Sequence, residues 1–429
     1  MPSSRPRFIL HDRKAGKTIS LDEYRNTGGY QGLEKTLREY SPDDVKEIIL
    51  DSGLRGHGGA GFPTGRKWKF VKDNSIHPRY VVANTDEMEP GTFKDRTIIS
   101  VNPHTVIEGM VIAAYANSAI KGYLFVRPSY QEIAVIFQDA LKDAEEAGFL
   151  GKKIMGKDFS FDIVIHRSAG RYICGEAKGL IHALEGKRPH PNIEGHLTST
   201  GLWGQPTIVN NAETLAYVPH ILRNGAEWFK KLGRHENAPG NKVYSISGRI
   251  TRPGAFELPF GTPLNEIMEE RGGMTRGYEF KAFMPGGAST PFMPKKYYDV
   301  NMDFYSLAQI GSDYRFGTGA IMIFDQKTCL VAAALNLMQF FARESCGWCT
   351  PCREGLPYME DLLRRIENGE GKEEYIATLR EMSRLMSYSY CAFALGAAGP
   401  VIGLLDNFID EVREHISQKK CPFGKERQG

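Results

Sequence analysis

Long apolar runs are missing from this chain of 429 residues. No stretch reaches the roughly 18 apolar residues that a membrane span needs, so direct membrane insertion is not expected. Net charge is almost absent too: 54 basic against 51 acidic side chains leave +3, with no block of Lys or Arg. A nucleic-acid binder needs such a block to neutralise phosphates, so no nucleic-acid partner is expected. The opening residues, "MPSSRPRFIL", lack the apolar core of a secretion signal. Repeats and low-complexity tracts are absent. Cysteines are few, and their odd number, seven, argues against a disulfide framework. A reducing cytoplasm is the expected setting. What remains, 41% apolar and 24% charged, describes a globular protein of two to four domains.

The chain divides into three stretches. Residues 1–240 begin with an arm ending in a helix, "SPDDVKEIILDSG", with Ser41 as N-cap, Pro42 at N1 and Gly53 as the stop. A glycine-rich loop follows, "GLRGHGGAGFPTGRKWKF" (53–70), then alternating strands and helices. "YVVAN", "GYLFVRPS" and "DFSFDIVIHR" read as strands; "PHTVIEGMVIAAYANSA" reads as a buried helix. This is an α/β domain, a sheet covered by helices. Residues 241–326 read as a small α+β module. In it Thr262 caps a helix, Pro263 is N1, and Leu264, Ile267 and Met268 share one face. Residues 327–429 are helical, with one stripe at Leu356, Met359, Leu363 and Ile366 and another at Ile402, Leu405, Ile409 and Val412.

Three of the scarce thiols fall in "ESCGWCTPCREG": Cys346, Cys349 and Cys352, each two residues from the next. Soft thiolates select zinc, copper(I) or iron–sulfur clusters. A [4Fe–4S] cluster needs one thiolate per iron, and three close in sequence plus a remote fourth suit it. The remote candidate is Cys391 in "SYCAFALGAAGP", whose neighbours are small. Structural zinc and unliganded buried thiols are the alternatives. Cys174, Cys329 and Cys421 stand isolated and read as packing or surface thiols.

The loop "GLRGHGGAGFPTG" holds six glycines in thirteen residues, a density that lets backbone N–H groups approach phosphates or a flat ring. No Walker A closure is present. Gly56, Gly58 and Gly61 match G-x-G-x-x-G by spacing, without the preceding strand of a Rossmann fingerprint. A flexible surface loop is the other reading. The aromatics Phe62, Trp68 and Phe70 favour stacking on a nicotinamide, adenine or flavin. The turn "NTDEMEPG" places Asn84, Asp86, Glu87 and Glu89 directly after a strand, where α/β sites lie.

Five long motifs occur in order: "LRGHGGAGFPTGRKW", "NTDEMEPGTFKDR", "AGRYICGEAKGLIHALEGKR", "GLWGQPTIVNNAETL" and "ESCGWCTPCREG". Together they resemble the NADH-oxidising flavoprotein subunit of respiratory NADH:quinone oxidoreductase (complex I, F or 51 kDa type) and its relatives in NAD(P)-linked hydrogenases and formate dehydrogenases. The resemblance implies a Rossmann-like FMN-binding α/β domain, a ubiquitin-like β-grasp domain of SLBB type, and a C-terminal helical bundle holding an iron–sulfur cluster. It implies FMN, a [4Fe–4S] cluster and NAD(H) or NADP(H) as substrate. FMN would be held by Gly56, Gly58, Gly59, Lys67, Asn84, Asp86, Glu87, Tyr172, Gly175, Glu176, Asn210, Asn211 and Thr214. The dinucleotide would stack on Phe62 and Phe70, with Glu89 near the nicotinamide and Ala177 and Lys178 near the ribose. Cys346, Cys349, Cys352 and Cys391 would hold the cluster. No catalytic acid or base is implied, since hydride transfer needs positioning only. Implied partners are a thioredoxin-like [2Fe–2S] subunit and further redox subunits, so that the chain meets a membrane only through a complex.

The chain departs from the family pattern in places. His57 stands where Arg is usual, Ala177-Lys178 replace the end of a "GEET/S" loop, and Ile193-Glu194-Gly195-His196 replace a Lys-Pro-Pro-aromatic stretch. The latter two changes raise a second reading, a structural or relay subunit that keeps fold and cluster without turning over dinucleotide.

Overall fold

Four strands, β1 (Tyr80–Thr85), β2 (Lys121–Val126), β3 (Asp162–Arg167) and β4 (Thr207–Asn211), form a parallel sheet in the order β3-β2-β1-β4. They belong to a computed structural model that describes residues 7–10, 16–71, 76–191 and 195–424. The side-chain alternation of a strand divides two cores here. Val81 and Ala83 of β1 face the helices Pro103–Asn117 and Ala212–Asn224, while Tyr80 and Val82 face the helix Ala177–Leu184. With both faces covered, β1 reads as a near-continuous apolar run, as parallel strands do.

The helix Pro103–Asn117 is buried on all sides, as its sequence suggested. It starts at Asn102, whose side chain accepts from Thr105 N–H, with Pro103 at N1. Its Gly109 is a packing requirement: a Cβ there would stand 2.0 Å from the Leu215 carbonyl oxygen of the neighbouring helix. The one acid in the helix, Glu108, is fully buried and accepts from Tyr24 Oη at 2.6 Å, Tyr30 N at 2.8 Å and Leu33 N at 2.9 Å. These bonds tie down the N-terminal arm. Besides the expected last helix, Pro42–Asp51, the described residues of that arm form the helices Leu21–Asn26 and Gln31–Glu39. Ser41 forms the expected cap, as a capping box with Asp44.

The second unit is a five-stranded mixed sheet, order β6-β5-β9-β7-β8, from β5 (Asn241–Gly248), β6 (Gly254–Pro259), β7 (Phe280–Met284), β8 (Met293–Pro294) and β9 (Ala320–Asp325). Its helix Leu264–Glu270 buries Leu264, Ile267 and Met268 as expected. The expected cap is corrected: Pro263 holds the N-cap position, and Thr262 Oγ1 donates instead to the Pro259 carbonyl at 2.6 Å. This sheet also anchors the arm, since Glu257 Oε2 accepts from Ile9 N at 2.9 Å and Leu10 N at 3.0 Å.

Five helices make up the third unit among the described residues: Leu330–Glu344, Thr350–Glu367, Glu374–Leu385, Ala392–Asn407 and Ile409–Gln418. The first two form a hairpin around the cysteine loop. Leu356, Met359, Leu363 and Ile366 are fully buried along one stripe. The second expected stripe is not continuous, because Phe408 breaks the helix between Leu405 and Ile409 and the axis bends by 80°. Among the described residues no single helix is long and apolar enough to cross a membrane.

Candidate functional site

A cavity of about 980 Å³ opens beyond the C-terminal ends of β1 and β4. Parallel α/β sheets place their ligands there, because loops diverge at that edge. The glycine loop forms one wall. It is pinched at its base by Gly56 N donating to the Phe62 carbonyl (2.8 Å) and Thr64 N to the Leu54 carbonyl (2.9 Å). Gly59 and Gly61 take φ of +124° and +65°, a region closed to most side chains.

His57 points away from this cavity. Its backbone N–H donates to Thr214 Oγ1 at 2.9 Å, and its buried ring Nδ1 lies 3.0 Å from Glu213. Glu213 also meets Lys242 of β5 at 2.6 Å and Lys94 at 3.1 Å. Burial alone would raise the Glu213 carboxyl; Lys242, Lys94 and His57 outweigh it and hold it well below its ordinary range. His57 is therefore a strut under the glycine loop rather than a substitute for a phosphate-binding Arg. Thr214 is corrected in the same way: it supports the loop backbone and does not line the cavity.

The acidic turn is mostly engaged. Glu87 accepts from Asp95 N at 2.9 Å and Arg96 N at 3.2 Å, capping the helix Lys94–Val101. Burial, with Asp95 nearby, pushes its carboxyl up to about 7. Glu89 accepts from Tyr172 Oη and from Ser289 N. Asn84 donates to the Gly175 carbonyl at 3.1 Å, and Glu176 caps the helix Ala177–Leu184 through Lys178 N and Gly179 N, both at 2.9 Å. Asn211 caps the helix Ala212–Asn224 and accepts from Lys94 Nζ at 2.9 Å. Lys67 Nζ reaches the Val209 carbonyl at 2.9 Å, and burial lowers its ammonium to about 8.

Two polar atoms on this wall are buried without a partner among the described residues: Asp86 Oδ2 and Asn210 Nδ2. Their sister atoms are held, Asp86 Oδ1 by Ser168 Oγ at 2.7 Å and Asn210 Oδ1 by Trp68 Nε1 at 2.9 Å. Burial pushes the Asp86 carboxyl up to about 6. A fixed acceptor and a fixed donor facing a glycine-lined cavity fit the mixed polar edge of a flavin. Buried polar groups of this kind ordinarily find a partner.

Gly56, Gly58, Gly59, Phe62, Lys67, Asn84, Asp86, Glu87, Glu89, Tyr172, Gly175, Glu176, Ala177, Lys178, Asn210 and Asn211 all line the cavity. Phe70 does not; it is exposed, its ring 6.2 Å from that of Phe62. Sequence reasoning missed the contribution of the second unit: Ser289, Thr290, Arg315, Phe316 and Thr318 close the far wall. The small-residue turn "GGAST" (286–290) and "RFGTG" (315–319) were the available signals. Of the altered stretch at 193–196, Ile193 and Glu194 lie outside the described residues.

Cys391 and Phe393 also line the cavity. Cys391 precedes the helix Ala392–Asn407, and Cys349 Sγ accepts from Tyr390 N at 3.3 Å, so the remote cysteine meets the loop. Cys352 Sγ lies 3.2 Å from Ser345 Oγ. Burial, with the other thiols of the set adding to it, pushes Cys352 and Cys391 up to about 11. Four thiols converge, yet the one described group of three or more metal-ligand atoms within 4.8 Å of one another lies elsewhere, at Cys329, Glu367, His415 and Cys421. Four soft thiolates, one for each iron, suit an iron–sulfur core. The reading of Cys329 and Cys421 as isolated thiols is corrected by the same grouping. Cys174, fully buried in the sheet core, is a packing thiol.

A glycine-lined cavity, with one of four converging thiols, Cys391, in its lining, defines the class: a flavoprotein with an iron–sulfur centre. Comparison with known proteins agrees. The Nuo51 FMN-binding domain family matches residues 49–220, the SLBB domain residues 243–292, and the NADH-ubiquinone oxidoreductase-F iron–sulfur binding region residues 332–415. The F-type subunit of the NADH-quinone oxidoreductase of Salmonella typhimurium is 47% identical over 414 residues, covering 95% of this chain and 92% of the relative. The Escherichia coli counterpart gives the same figures, and that of Streptomyces coelicolor is 41% identical over 406 residues, covering 94% and 90%. A solved NAD+-reducing [NiFe]-hydrogenase superposes with a TM-score of 0.81 at 30% identity, over 95% of this chain and 67% of that one. The chain belongs to the family of F-type subunits of NADH-quinone oxidoreductase.

Proposed function

We propose that this chain is the NAD(P)H-oxidising subunit of a larger redox complex, holding FMN in the cavity and a [4Fe–4S] cluster on Cys346, Cys349, Cys352 and Cys391. The observation that carries this reading is that Cys391 and Phe393 line the same cavity as the glycine loop. FMN, when bound, accepts two electrons from a nicotinamide and can release them one at a time, which suits a one-electron cluster. The chain's own residues do the positioning. The backbone of Gly56, Gly58 and Gly59 gives close approach, Asp86 and Asn210 offer the unsatisfied polar pair, and Lys67 supplies a cation. Glu89 is held at the other side by Tyr172 and Ser289. Tyr172, Phe341 and Phe393 pack edge to face beside the thiols, with ring centroids 5.4–5.9 Å apart.

The proposed units are residues 1–240, 241–326 and 327–429. Family membership makes the chain one subunit of several. The finer proposal is that its electron partner is a small thioredoxin-like [2Fe–2S] subunit, and that the complex lies on the cytoplasmic side. Ala177, in the position of an acidic ribose contact, is proposed to admit NADP(H) beside NAD(H). The deciding test is reduction of ferricyanide by the flavin-loaded chain with NADH or NADPH. Bound FMN that bleaches with neither dinucleotide would sink this reading and leave the relay subunit in its place.

A further inference from the structure

The base of the helical hairpin, remote from the cavity, gathers four side chains that the proposed electron path does not use. Cys329 precedes the helix Leu330–Glu344, and Glu367 ends the helix Thr350–Glu367. His415 lies on the helix Ile409–Gln418, and Cys421 follows that helix. Their ligand atoms all lie within 4.8 Å of one another. Cys329 Sγ is 3.2 Å from His415 Nε2 and 3.5 Å from Glu367 Oε2, and His415 Nε2 is 3.3 Å from Glu367 Oε2. A tetrahedral zinc with Zn–S about 2.3 Å and Zn–N or Zn–O about 2.0–2.2 Å sets such donors about 3.4–3.8 Å apart. The three separations therefore lie within about 0.3 Å of what one ion would impose.

The surroundings fit a ligand set. His415 is fully buried, and its Nδ1 lies 2.7 Å from the Glu411 carbonyl. That bond holds a proton on Nδ1 and turns Nε2 toward the sulfur and the carboxylate, the ring face through which a metal-bound imidazole coordinates. Glu411 also accepts from Leu330 N at 2.6 Å and meets Lys281 at 2.7 Å, so the orienting residue is itself fixed.

We propose that Cys329, Glu367, His415 and Cys421 form a closed, structural site for a single divalent ion of the zinc class. Two thiolates, one imidazole and one carboxylate complete a tetrahedron, with no open position for substrate. Binding displaces the two thiol protons to solvent and changes no oxidation state. The ion joins the root of the first hairpin helix, the end of the second, and the last helix with its following segment. The first helix has 15 residues, so at 1.5 Å per residue the site lies about 22 Å from the cysteine loop at the other end. It would fix the scaffold on which the loop is presented without touching the electron path. The competing account, a protonated His415 paired with Glu367 beside two free thiols, needs no metal.

The test is metal analysis of the full chain, purified without oxygen and loaded with flavin and iron. The expected result is about one zinc per chain in addition to iron, with a zinc X-ray absorption edge fitted by two sulfurs and two lighter donors. Cys421→Ser and His415→Gln should each lower zinc at least tenfold, with flavin and iron unchanged. Cys346→Ser should lower iron and leave zinc. A wild-type chain with full flavin and iron but no zinc after growth in added zinc overturns the proposal. So does an edge fitted by four sulfurs, which would place the zinc on the cluster cysteines. A metal-free chain that is two mass units light, with Cys329 joined to Cys421, overturns it too. If a variant fails to fold, the wild-type stoichiometry and edge still decide.

Discussion

The glycine loop and the thiol set meet at one cavity, the latter through Cys391, but are held there by opposite means. Beneath the glycine loop lies a buried ionic network: His57, Glu213, Lys94 and Lys242, with contacts of 2.6–3.1 Å joining the first unit to β5 of the second. Around the cysteine loop the packing is aromatic and apolar, with Phe341 and Leu356 fully buried and Phe393 nearly so. The difference suits the ligand proposed for each. A flavin phosphate and a dinucleotide are anions best met by fixed dipoles and cations. A low-dielectric surround, by contrast, is a lever on the potential of a cluster.

Breaking the cysteine side should give the largest effect. Cys391→Ala removes one of the four proposed ligands; iron should fall from about four atoms per chain to near zero while flavin binding persists. Metal and flavin analysis of one preparation checks both halves. Loss of flavin together with iron would mean that the two loops are not separately held.

Breaking the ionic side comes next. Lys242→Met leaves Glu213 with fewer partners in a fully buried place, and removing one partner of a buried ion pair costs about 3–5 kcal/mol. Denaturant unfolding should show that loss and weaker flavin retention, with iron content unchanged. A change under about 1 kcal/mol, the scale of an exposed ion pair, would show that the network is not what holds the cradle.

A pH scan of flavin-free protein sharpens the contrast. The folded chain keeps the Asp86 proton up to about pH 6, whereas an unfolded carboxyl gives it up near 4. Between those values the folded state binds more protons, so stability should fall as pH rises through the window, by about 2–3 kcal/mol from this group. Asp86→Asn should flatten that part of the profile; an unchanged slope would place its origin elsewhere.

The smallest expected effect is on dinucleotide choice. A carboxylate at position 177 would accept from ribose hydroxyls and repel a 2′-phosphate. One such contact is worth roughly 1–3 kcal/mol, or about tenfold to a hundredfold. Ala177→Glu should therefore lower the ratio of kcat/KM for NADPH to that for NADH by about that factor. A wild-type ratio already below one hundredth, unchanged by the substitution, would refute the assignment.

What the sequence disclosed and what it hid separate by range. Ser41 and Pro42 announced a helix start because capping is local, and Leu356, Met359, Leu363 and Ile366 announced a buried face by period alone. The Cys-x-x-Cys-x-x-Cys spacing carried its own chemistry. The role of His57 was hidden because it depends on Lys242 and Glu213, far along the chain. Cys329 and Cys421 looked solitary because only the tertiary fold brings them to Glu367 and His415. The far cavity wall was missed for the same reason: Arg315 and Thr318 reach it only through the docking of the second unit.

The central claim is that electrons from a dinucleotide pass from the cavity to the four thiols, one of which, Cys391, lines it. Anaerobic titration with NADH or NADPH, followed by flavin absorbance and by electron paramagnetic resonance of the iron, tests it most directly. The account predicts that the flavin bleaches and a reduced-cluster signal appears in the wild type, and that Cys391→Ala keeps the bleaching and loses the signal. A chain with full flavin and four irons whose flavin bleaches while the iron stays oxidised toward every dinucleotide would contradict it.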